Sequence, residues 1–395
     1  MTTTVSAWRR VPNDPTDWFS TEEVERARSY QRPLTRLRLV RTALSALAVL
    51  VIIATEAAPN LLEALGVRGW ALELVVVVLL LEAVALLYNP ALDWWLDLVH
   101  DKRWGLSTQT PGRFAADQVK SLVLGLVMNV ALLVPLYAVI RATDWWWVWG
   151  WLLVVGFSVV LGFLFPVVIA PIFNKFEPLE HDELSARIQD IARRAGVHIE
   201  GAFVADESKR STRDNAYVAG LGATRRVVLY DTILEHPPEV VAQVVAHEVG
   251  HWRLHHLRKQ IPLAATLALV VFAGLRLLAE WDGLWSWAGV DGIGDPAGLP
   301  VVLLAAQIGL GALGLTTAFV SRAFEREADL SALELLGEPD RMRDMLRRLH
   351  TKNLADLDPG PLSRLRATHP PAAERLALVA AWEAGASRSA VAHDG

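Results

Sequence analysis

The chain has 395 residues, 53% of them hydrophobic, and a formal charge of -5 at neutral pH; with a mean hydropathy of +0.30, this excludes an ordinary soluble protein and gives no electrostatic reason for nucleic-acid binding. The absence of Cys removes disulfide frameworks, thiolate metal sites, cysteine nucleophiles and iron-sulfur clusters. Sixteen Trp against five Tyr suit surfaces that are apolar on one side and wet on the other.

A helix crosses hydrocarbon of about 30 Å with about 20 residues. Residues 1–41 are polar and basic, and the first apolar run, Thr42 to Ala58, lies too far from the start for a cleaved leader and reads as a retained anchor. Further runs span Trp70 to Tyr88, Ser121 to Ile140, Trp145 to Ala170, Ile261 to Leu278 and Leu299 to Val320, which makes six spans. Arg32, Arg36, Arg38 and Arg41 precede the first span, and Lys102, Arg103, Arg113 and Lys120 lie in the 89–120 loop. The opposite loops carry only Arg68 and Arg141, besides Asp282, Asp291 and Asp295. The asymmetry predicts cytoplasmic termini and a cytoplasmic 171–260 region.

Within 171–260, DELSARIQDIARRAG puts Leu184, Ile188 and Ile191 on one helical face, ended by Gly196. GAFVAD, NAYVAG and RRVVLYD read as strands, with Gly220 and Gly222 turning between the last two. The expected fold is therefore mainly α: a multi-pass membrane helical bundle of about six spans with a small cytoplasmic α+β domain. Four spans occupy 42–170, two occupy 261–320, and 321–395 returns to the cytoplasm.

Pro237 and Pro238 start a helix whose stripe of Val240, Val241, Val244 and Val245 leads into His247-Glu248-Val249-Gly250-His251. Residues four apart share a face, so His247 and His251 can offer two imidazoles to one tetrahedral zinc while Glu248 reaches a water beside it. A hydrolytic zinc needs a third protein ligand and an open position. The cytoplasmic end of the sixth span supplies acids in SRAFEREAD, and spacing alone leaves Glu325, Glu327 and Asp329 open. His255, four residues beyond His251, falls on the ligand face and reads as a supporting or surface residue.

Taken in order, PIFNKFEPL, SKRSTRDNAYVAG, RRVVLYDTIL, HEVGHWRLHH, SRAFEREAD and THPPAAERL are similar to the integral-membrane zinc metallopeptidases typified by the type I CAAX prenyl endopeptidases, over about Trp18 to Leu378. The resemblance implies Glu325 as third ligand beside His247 and His251, with Asp329 supporting them. It implies Glu248 as general base, His369 and Arg375 as groups near the metal that steady the transition state or the site, and Asn215 and Tyr217 on an edge strand that pairs with substrate. One zinc ion per chain is the implied cofactor. Extended peptides or protein tails, lipidated or membrane-associated ones among them, are the implied substrates, with membrane lipid around the protein and no nucleic acid. Eukaryotic members have one more N-terminal span. The absence of glycosylation sequons and of a retrieval tail points to a bacterial plasma membrane. Two other readings fit the same residues: a quality-control protease of the heat-shock type, and a chambered scaffold or transporter with structural zinc.

Overall fold

The computed structural model describes residues 13–220 and 225–393, with side chains through residue 385. Long helices dominate it. Helix α1 (Thr21–Ala54) starts at a capping box in which the Ser20 hydroxyl accepts from the Glu23 amide and the Glu23 carboxylate accepts from the Ser20 amide. It continues unbroken from the polar N-terminal segment through the first apolar run. Helix α2 (Trp70–Ala85) meets the segment that begins with α3 (Asn89–Trp94) and ends at Arg103 at a bend of 41°, and the two together are long and apolar enough for one broken span or a re-entrant loop. Pro90 at the break has no N–H to continue the ladder, and the chain runs on through a π-turn, Trp95–His100, to Arg103. Helices α4 (Pro111–Ala142) and α5 (Trp146–Leu164) follow.

Among the described residues five helices are long and apolar enough to cross a membrane, or six where the bent pair counts as one span. Their apolar windows are only 6–28% buried within the chain. Leu87, Val167, Ile308 and Phe319 are about two-thirds exposed or more, a surface that suits lipid rather than water. Of the two Trp clusters, Trp145, Trp149, Trp281 and Trp287 are exposed, whereas Trp146 and Trp285 are buried in the bundle.

The polar region after α5 adds a four-stranded sheet in the order β1-β2-β4-β3: β1 (Phe176–Pro178), β2 (Gly201–Ala205), β3 (Ala216–Ala219) and β4 (Arg226–Tyr230). Strands β2 and β4 are parallel, while β3 pairs antiparallel with β4 (Tyr217 opposite Val228), so β3 keeps one open edge. Gly222, expected in the β3–β4 turn, lies outside the described residues. Helix α6 (Asp182–Arg194) buries Leu184, Ile188 and Ile191 and ends at Gly196, whose φ of +68° favours glycine.

Helix α7 (Pro238–Arg253) buries its valine stripe in the core of this region. It does not run on into the fifth span: His255 has φ +57° and breaks it from α8 (His256–Ala279). Helix α9 (Leu299–Leu336) is a single 38-residue rod that begins in the bundle and ends in the core beside α7, followed by α10 (Pro339–Lys352) and α11 (Ala372–His393). Gly250 lets α7 and α9 meet closely. A Cβ there would stand 3.2 Å from the Ala328 carbonyl oxygen and 3.2 Å from Ser331 Cβ.

Candidate metal centre

One turn of α7 carries His247 and His251, and α9 brings Glu325 against them. Nε2 of His247 lies 3.3 Å from Nε2 of His251 and 3.3 Å from Glu325 Oε2, and His251 Nε2 lies 3.5 Å from Glu325 Oε1. Three ligands of a tetrahedral zinc at about 2.0–2.1 Å are separated by about 3.3–3.4 Å, so the triangle has the size such an ion requires. Glu325 is 6% exposed, and its Oε2 is fully buried without a partner in hydrogen-bonding geometry. A buried carboxylate oxygen that is close to imidazole nitrogens, yet hydrogen-bonded in good geometry to none, fits a divalent cation with nitrogen and oxygen ligands. Among the described residues this is the one cluster of three such groups close enough to share an ion.

Both imidazoles are held from behind. Asp329, fully buried, takes His247 Nδ1 at 2.9 Å and receives Arg375 through Nε at 2.8 Å and Nη2 at 2.6 Å. This fixes the His247 tautomer with Nε2 toward the site. Arg375 thus reaches the ligand set through Asp329, while also lining the cavity in front. His251 Nδ1 lies 2.9 Å from His256 Nδ1, and His256 Nε2 lies 3.0 Å from Glu327. One consistent tautomer set has His251 donating to His256 and His256 donating to Glu327.

The sequence reading missed His256. It placed His255 on the ligand face by four-residue spacing, as a supporting or surface residue, and gave His256 no role; the helix break leaves His255 exposed and turns His256 inward, 1% exposed and stacked on Phe324. Burial opposes a charge on His247, but the hydrogen bonds to Asp329 and Glu325 outweigh it and push its pKa up to about 10. Burial and His247 together push His251 down to about 3. At neutral pH His247 is therefore protonated beside an ionised Glu325, and its charge disfavours a second proton on His251.

In front of the ligands is a cavity of about 300 Å³, lined by Glu248, His247, His369, Arg375 and Asn215. Burial raises the Glu248 carboxyl above the usual carboxylate range. His369 is exposed and puts Nδ1 2.7 Å from Glu325 Oε2. Asn215 flanks the cavity at the head of β3, its Oδ1 accepting from the Ala216 amide. Tyr217 lies elsewhere: it packs edge-on against Tyr230 and lines an apolar groove of about 540 Å³ between α5, α8 and β3, with Pro166, Trp252 and Leu257.

The description of peptidase family M48 matches residues 178–383, and that of the CAAX prenyl protease N-terminal region, five membrane helices, matches residues 2–175. Over the latter stretch this chain has three long apolar helices and the bent pair. It is 31% identical to the CAAX prenyl protease 1 homolog of Arabidopsis thaliana, over 71% of this chain and 67% of the relative. It is also 31% identical to an uncharacterized metalloprotease of Bacillus subtilis, over 76% of this chain and 71% of the relative. Ste24p of S. mikatae has the same fold, with a TM-score of 0.83 over 96% of each chain at 24% identity. With an HExxH helix and an acid-bearing rod meeting beside a bundle of five to six apolar helices, the chain belongs to peptidase family M48 in its CAAX prenyl protease branch and is a membrane metalloendopeptidase.

Proposed function

We propose that the metal is zinc, held by His247, His251 and Glu325, and that the protein cuts extended peptides or protein tails at the cytoplasmic face of a bacterial plasma membrane, with both termini on that side. The size of the ligand triangle carries the metal assignment, and the basic flanks of the first two spans support the orientation. When bound, zinc supplies Lewis acidity, polarising the scissile carbonyl and acidifying the attacking water.

Glu248, on the cavity wall beside the ligands, takes the proton of that water and returns it to the leaving amine. Its raised pKa suits both halves of the transfer. His369 lies at the solvent-facing mouth, within reach of charge that develops on the carbonyl oxygen. Asp329, gripped by Arg375, orients His247. The open edge of β3, beginning at Asn215, offers main-chain groups to an extended substrate whatever its side chains. Lipidated or membrane-associated tails are the substrates that reach such a site most readily.

The test is Glu248→Gln. The variant should bind zinc as the wild type does while peptide hydrolysis falls by about 10²–10⁴-fold. Wild-type turnover in the variant would overturn the assignment of the base.

A further inference from the structure

At the head of β3 the catalytic cavity continues into a second hollow of about 510 Å³, and Asp214, Asn215 and Asn353 line both. Its far wall is the bent segment after α3. The charges around it do not balance. Arg213 is taken by Asp101 at 2.8 Å, Arg210 by Asp117 at 2.7 Å, and Asp214 by Lys352 at 2.7 Å. Asp97 and Glu207 remain, with no ion pair among the described residues; Glu207 accepts only from the neutral Asn174 amide at 2.8 Å, and Asp97 makes no side-chain hydrogen bond there.

Gln109 adds an independent observation. It is 6% exposed, and its Nε2 donates to Asp117 at 3.3 Å, which fixes the orientation of the amide. Its Oε1 is thereby an acceptor, completely buried and without a donor. A carboxylate with no partner, a second held only by a neutral amide, and the buried Gln109 carbonyl in the wall of one hollow call for a group rich in N–H and positively charged. Among the described residues no three acidic or imidazole groups around this hollow lie close enough to share a metal ion.

We propose that this hollow receives a basic side chain, ammonium or guanidinium, of the peptide being cut. The inference rests on the reading of β3 as the substrate edge. A substrate strand antiparallel to β3 runs toward Asn215, so the basic residue lies on its C-terminal side. The residues before it pass over the apolar groove that starts at Tyr217. A cleaved segment that is apolar upstream and basic downstream satisfies both ends of the strand.

The experiment uses the purified full-length, zinc-loaded protein and a set of fluorogenic peptides in which one Lys or Arg is walked along the sequence. Each is paired with a neutral isostere, norleucine for Lys and citrulline for Arg. The readout is the ratio of kcat/KM for the charged and neutral members on the same preparation, so a reduced active fraction cancels. At one downstream position the ratio should be on the order of tenfold. It should fall to about two or below in Asp97→Asn, fall in part in Glu207→Gln, and favour a glutamate peptide in Asp97→Lys. If Asp97→Asn fails to fold, Glu207→Gln alone carries the same comparison. A wild-type ratio near one at every position, or a ratio untouched by these substitutions, overturns the proposal and leaves the peptidase reading standing. Failure of the wild type to cut any peptide overturns both.

Discussion

The contact between α7 and α9 at Gly250 sets the separation of His251, one residue on, from Glu325, less than one turn before Ala328 on the facing helix. A Cβ at Gly250 would meet the Ala328 carbonyl oxygen and Ser331 Cβ at 3.2 Å each, and Ser331 Oγ at 3.3 Å. Gly250→Ala therefore asks the helices to give by a few tenths of an ångström, and Gly250→Val, with two further carbons, by about 1 Å. Metal–ligand distances tolerate about 0.2 Å, and the triangle edges of 3.3–3.5 Å already match the ion. The alanine variant should lose about tenfold in zinc affinity and the valine variant about a hundredfold or more, with overpacking costing about 1–3 kcal/mol of stability. Competition against a calibrated chelator measures the affinity, and thermal unfolding in detergent measures the stability. Gly274→Ala, in α8 where an added Cβ meets nothing within 4 Å, should change neither. Wild-type zinc affinity and kcat/KM in Gly250→Val would refute the view that helix spacing sets the site.

Asp329→Asn should lower zinc affinity about 10–100-fold and destabilise the fold, because Arg375 is left buried without its counter-charge; unchanged values in both assays would count against this. His256→Ala should weaken zinc binding by a similar factor through loss of the acceptor behind His251, and His256→Gln, whose amide oxygen can accept, should recover part of it. Equal losses in the two variants would speak against a positioning role. His350 is pushed down to about 4 by burial and then by the nearby Arg375 charge. The unfolded chain therefore binds more protons between about pH 6.5 and 4. The contribution of His350 is present in full above that window and is lost as pH falls through it; His350→Gln should flatten this slope in acid unfolding curves, and an unchanged slope would dismiss it.

Much of this architecture could be read from residues alone because its signals are local. Apolar runs of span length mark helices in lipid, and the valine stripe before His247 marks a buried face. The placement of Glu325 was less local: spacing left three acids open, and only the resemblance singled one out. What escaped the sequence depends on backbone geometry. His256 enters the site because His255 takes a left-handed conformation that no periodicity predicts. The short β1 is held by pairing with β2 rather than by its own composition, since Pro178 is a poor strand residue. The hollow behind Asn215 is assembled from the π-turn after α3 and the loop before β3, which lie about 100 residues apart in sequence.

Helix α9 passes from its apolar stretch to Glu325 without a break. Five residues separate Val320 from Glu325, a rise of about 7–8 Å. With the bilayer ending where the apolar run does, the rod acts as a depth gauge: it sets the distance from the lipid boundary at which a bond can be cut. An anchored polypeptide would be severed at a fixed reach from its anchor, whatever its sequence. Thinner or thicker bilayers would move that reach by shifting the whole rod and not by remodelling the chemistry at its end.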